Sequence, residues 1–95
     1  ALFVVGSQDR IVPPARTRKL YEAVTAAAQW AVIRGGYHCG FLNHARWRDA
    51  GCDHGDLTRQ EQLVTTASLV GDWLDARFRG AAEPARRVGV VITRK

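Results

Sequence analysis

Three observations predict a small α/β domain: two short apolar runs that each end near glycine, a stretch of helical spacing between them, and a long capped helix further on. "LFVVG", residues 2–6, is a continuous apolar run closed by Gly, the pattern of a strand buried on both faces. "PPARTRKLYEAVTAAA" opens on prolines where a helix start tolerates them, and Leu20, Ala23, Val24 and Ala27 repeat at helical spacing. "QWAVI", residues 29–33, is a second apolar run, and "RGGYHCGF" breaks it with glycines. A strand, helix, strand unit of this size implies parallel strands joined by a right-handed crossover.

Residues 43–57, "NHARWRDAGCDHGDL", have no periodicity and many turn formers, so they read as a long loop. Thr58 and Glu61 then form a capping box, and Leu63, Ala67, Val70, Leu74 and Phe78 trace one helical face as far as Gly80, which suits a helix C-terminus. "GAAEPARR" has the composition of a linker. "VGVVIT", residues 88–93, is either a third strand or an unfolded end.

A chain of 10.5 kDa supports one hydrophobic core. It has no Met and opens on apolar residues without a charged leader, as an excised piece of a longer protein would. No apolar run approaches the roughly 18 residues of a membrane span. The net charge of +5 is uneven: residues 1–80 carry ten Lys and Arg against eight Asp and Glu, a net of +2, while residues 81–95 carry four against one, a net of +3. Twelve of the basic residues are Arg, scattered without aromatic interleaving, which describes a solvated surface better than a nucleic-acid interface.

In open parallel sheets, ligands and catalytic groups collect beyond the carboxyl ends of the strands. Asp9 lies three residues beyond Gly6, and His38 five beyond Ile33. Adjacent strands are roughly 4.8 Å apart, so loops from their matching ends can bring a carboxylate to an imidazole. A carboxylate so placed fixes the His tautomer and stabilises the imidazolium, which is half of a Ser-His-Asp triad. Tyr37 and Phe41, on either side of the His turn, read as packing residues.

"LFVVGSQDRIVPP" followed by "AVIRGGYHCGF" resembles the last third of an α/β-hydrolase, most closely the dienelactone-hydrolase-like and polyester-hydrolase-like branches, over residues 1–79. The resemblance implies an α/β fold class of a definite kind: a C-terminal fragment of the α/β-hydrolase fold, a parallel strand–helix–strand unit and a long closing helix. Residues 1–80 are then a partial domain and 81–95 a basic linker or tail. It also implies a serine hydrolase of ester or lactone bonds in which Asp9 orients His38 and His38 deprotonates an upstream Ser, with no cofactor and no metal. The G-x-S-x-G elbow of that family is missing: the serines are Ser7, inside the acid loop, and Ser68, within the capped helix. The chain by itself is therefore expected to be inactive.

A different class of reading starts from Cys39, His44, Cys52 and His54, with His38 beside them, as a metal-binding or catalytically silent binding module. The spacing C-x4-H-x7-C-x-H fits the usual structural zinc patterns poorly. The two cysteines form a disulfide if the parent protein is exported and stay as thiols if it is cytoplasmic. Finally, the resemblance leaves the strand at residues 2–6 without an upstream neighbour. Its edge is expected to be covered by a second copy of the chain, or by the chain's own "VGVVIT".

Overall fold

The computed structural model describes residues 1–42, 51–84 and 87–95. Among them the chain forms β1 (Leu2–Gly6), α1 (Pro14–Ala23), β2 (Gln29–Ile33), a 3-10 turn at His38–Phe41, α2 (Arg59–Arg79) and β3 (Val90–Arg94). The sheet has the order β1-β2-β3. β1 and β2 run parallel, in register from Leu2↔Gln29 to Gly6↔Ile33. β3 lies antiparallel on the other side of β2, from Ile33↔Val90 to Gln29↔Arg94.

This corrects the expected fold class. The chain is a small mixed α/β unit of three strands and two helices, too small for a C-terminal fragment of the α/β-hydrolase fold. The last strand turns back at Arg87–Gly89 and pairs antiparallel, which a repeated strand–helix–strand winding does not produce. The tail is partly structured: its third strand begins at Val90 rather than Val88, and Val88 is fully exposed at the turn. Because β3 sits on β2, "VGVVIT" does not cover β1. The outer edge of β1 has no partner strand among the described residues. Residues 81–84 carry no regular structure, and Ala85 and Arg86 lie outside the described residues.

Side-chain alternation along the strands assigns a helix to each face of the sheet. On one face, the Tyr21 ring of α1 meets Phe3 edge-on at 6.2 Å and Trp30 at 6.4 Å. On the other, Ala31 and Ile33 pack with Leu69 of α2, joined by Val4, Phe41, Leu57, Val90 and Ile92. α1 starts at Pro14, whose fixed φ suits a first helical position, and stops at Ala23. α2 carries the capping box between Thr58 and Glu61, with Gly80 in the left-handed conformation at its end, φ 67°.

Both helices present a different face from the one the apolar spacing indicates. In α1 the buried residue is Tyr21, and Leu20 is 59% exposed. The larger ring fills the space above Phe3 and Trp30, and the Arg18 guanidinium lies over the rings of both Tyr21 and Trp30. In α2 the face toward the protein is Gln62, Thr66, Leu69 and Trp73, whereas Val70 and Leu74 are exposed and Phe78 is 81% exposed. No helix among the described residues is long and apolar enough to cross a membrane.

Tyr21→Ala should therefore destabilise the chain by about 3 kcal/mol, the cost of emptying an aromatic site in a core. Leu20→Ala should stay within about 0.5 kcal/mol, as at an exposed position. Urea unfolding of the two variants measures both, and equal losses would contradict the packing described.

Candidate active site

The register of β1 and β2 ends both strands at the same level, and the backbone continues the pairing past them. Ser7 N–H donates to the Ile33 carbonyl at 2.9 Å and Gln8 N–H to the Gly36 carbonyl at 2.8 Å. The approach is close enough that a Cβ at Gly6 would collide with the backbone of Gly36 and Tyr37. The acid loop and the His turn are thus held side by side before any side chain contributes.

Asp9 then turns the chain. Its N–H donates to the Gly6 carbonyl at 3.1 Å, and its Oδ1 accepts from Ile11 N–H at 3.0 Å and Val12 N–H at 2.7 Å, an Asx-type turn. These bonds use one oxygen and aim the other: Oδ2 lies 3.1 Å from Nδ1 of His38. A carboxylate oxygen only accepts, so Nδ1 carries the proton in this contact. The Asp9 side chain is 4% exposed and that of His38 is 44% exposed. The contact with the buried carboxylate uses Nδ1 and does not involve Nε2. The structure brings Asp9 and His38 together.

Three further polar side chains hold the two loops, and none is marked by the apolar pattern. Gln62, 0% exposed in α2, accepts from Tyr37 N–H at 3.0 Å and donates to the Tyr37 carbonyl at 2.8 Å, fixing the residue before His38. Ser7 Oγ accepts from Gly35 N–H at 2.9 Å. Asp53 accepts from Arg10 N–H (3.1 Å) and His38 N–H (3.0 Å) through Oδ2, and from Cys39 N–H (3.1 Å) through Oδ1. Partial burial pushes its carboxyl up, but the backbone hydrogen bonds of His38, Cys39, Arg10 and its own residue outweigh this and hold it below the ordinary value of 3.8.

The remaining candidates fall as follows. Cys39 and Cys52 form a disulfide with Cα atoms 5.8 Å apart, so in this state neither sulfur is a thiolate ligand. His54 is exposed, its ring 6.5 Å from that of Tyr37, and His44 lies outside the described residues. Among the described residues no group of three His, Cys, Asp or Glu is arranged to hold a metal. Tyr37 is buried and Phe41 packs against the core. Ser68, on α2, accepts from the Arg87 guanidinium, and the Ser7 hydroxyl is engaged with Gly35, so neither is paired with His38.

No family model matches this chain, and no curated protein or solved structure matches it either. The chemistry is therefore read from the geometry: a buried, hydrogen-bonded carboxylate orienting a half-exposed imidazole at the carboxyl ends of two parallel strands.

Because the Asp53 carboxyl lies below its unfolded value, its stabilisation is fully present above about pH 4 and lost as pH falls through the folded value. Asp53→Asn should accordingly lower the urea midpoint at pH 7, and the gap to the parent chain should shrink at about pH 2.5. A gap of the same size at both pH values would show that the carboxylate charge contributes nothing.

Proposed function

We propose that Asp9 and His38 are the acid and base of a serine hydrolase site for ester or lactone bonds, the nucleophilic serine being supplied from outside these 95 residues. The observation that carries this reading is the 3.1 Å contact of a buried carboxylate with Nδ1 of a half-exposed imidazole, a contact that does not use Nε2. In that arrangement Nε2 takes the proton from the serine hydroxyl as its oxygen attacks the ester carbonyl. It then returns the proton to the leaving alcohol, and repeats the cycle with water to release the acid. Asp9 stabilises the imidazolium formed in each half-reaction. The resemblance of "LFVVGSQDRIVPP" and "AVIRGGYHCGF" to the acid and His segments of α/β-hydrolases supports the same roles.

A second reading, a catalytically silent module that self-associates, has one observation in its favour: the outer edge of β1, which has no partner strand among the described residues. Under it the chain is a dimer in light scattering, and His38→Ala changes nothing but itself.

Two assays decide for the hydrolase reading. The chain by itself should hydrolyse p-nitrophenyl esters no faster than its His38→Ala variant and should take up no serine-directed phosphonate. A longer product that also carries the nucleophilic serine should do both, and there His38→Ala or Asp9→Ala should lower kcat by about 10³-fold or more. Stoichiometric labelling of Ser7 or Ser68, or a longer product whose hydrolysis ignores His38, contradicts it.

A further inference from the structure

The loop segment after the disulfide, residues 52–57, lies along both catalytic loops. Asp56 exchanges two bonds with Gln8 of the acid loop, its N–H donating to Oε1 at 2.7 Å and its Oδ2 accepting from Nε2 at 3.1 Å. Leu57 N–H donates to the Gly35 carbonyl of the His turn at 3.1 Å. Between these contacts and the Cys39–Cys52 bridge stands Asp53. Its Oδ2 is shared by the N–H of Arg10, the residue after Asp9, and the N–H of His38 itself. One oxygen atom therefore joins the backbone beside the acid to the backbone that carries the base.

We propose that Asp53 is the positioning residue of the Asp9–His38 pair: its carboxylate sets the separation of the acid loop and the His turn, and so whether Nδ1 stays on Oδ2 of Asp9. The inference rests on the acid–base reading of that pair. A carboxylate suits the task because three converging N–H groups need an acceptor at every position, and an amide at residue 53 would turn an NH₂ donor toward one of them. The Cys39–Cys52 bridge joins the two neighbours of the His38–Asp53 contact, so a covalent link and a charged hydrogen bond cross the same gap side by side. Loss of Asp53 leaves the segment tethered by the disulfide, by Asp56 and by Leu57. The effect should fall on the geometry of the pair and leave the fold in place.

The test reads the pair directly, by nuclear magnetic resonance of the ¹⁵N-labelled chain. His38 Nδ1–H, held on Asp9, should give a slowly exchanging proton, and Asp9→Ala shows what its loss looks like. In Asp53→Ala the proton should exchange at least about tenfold faster, while the backbone amides of β2 keep their shifts. Asp53→Asn, which keeps one acceptor oxygen, should lie in between. Asp56→Ala, which removes only the Oδ2 acceptor of Gln8 Nε2 and keeps the backbone bond to Gln8 Oε1, should leave the proton as it is. An Nδ1–H signal with unchanged exchange in Asp53→Ala overturns the proposal. Should that variant not fold, Asp53→Asn decides by the same criterion. The readout uses no substrate, so a failure of ester hydrolysis in the longer product leaves this result standing and counts against the functional reading alone.

Discussion

The site depends on a contact between two stretches of backbone that carry no side chain. Gly6, the last residue of β1, rests against Gly36, three residues past the end of β2, so closely that any Cβ at position 6 would overlap the Gly36 and Tyr37 backbone. The parallel register brings the strand ends level, and the missing side chain lets the chains beyond them continue as a ladder, with Ser7 and Gln8 donating across the gap. Asp9 and His38 are consequences of that ladder. Each needs only one turn to reach the other.

The rest of the site is a set of polar groups that fix those turns. The N–H groups of Arg10, Ile11, Val12, Tyr37, His38 and Cys39 each have a side-chain partner inside the chain, which is the condition for removing such groups from water. Gln62 satisfies both the N–H and the carbonyl of Tyr37 from the helix side, and a side chain at Gly40 would run into it. Asp53 satisfies three N–H groups from the loop side. Asp9 satisfies two within its own turn and keeps one oxygen for the imidazole. Under the proposed reading, an imidazole held in this way needs little reorganisation when it takes a proton, because the carboxylate that would stabilise the charge is already oriented.

Local signals made part of this legible. The capping box at Thr58 and Glu61 and the Gly80 cap lie within a few residues of the ends they specify, and the helix follows them. The meeting of Asp9 and His38 could be foreseen because each stands just past a recognisable apolar run. Apolar periodicity misassigned both helix faces for a physical reason. In α2 a fully buried polar residue, Gln62, faces the His turn, and in α1 a tyrosine took the site that an aliphatic pattern gives to Leu20. Asp53 was illegible because its partners are 14 to 43 residues away, in a loop with no period. A single acid after Cys52 looks the same whether it caps a turn or joins two loops. The fold class failed at β3, whose antiparallel pairing with β2 is a long-range choice that no residue within Val90–Arg94 announces.

The central claim is that backbone pairing beyond the ends of β1 and β2, and not the side chains alone, puts the acid loop and the His turn together. Amide hydrogen exchange at Ser7 and Gln8 tests it most directly. Ser7 is an exposed residue whose N–H is bonded to the Ile33 carbonyl, and the N–H of half-buried Gln8 is bonded to the Gly36 carbonyl. Both amides should be protected to the level of the β2 amides, with the slowing ending at Arg10 or beyond. Exchange of Ser7 and Gln8 at the rate of a free surface loop, with β2 still protected, would contradict the account.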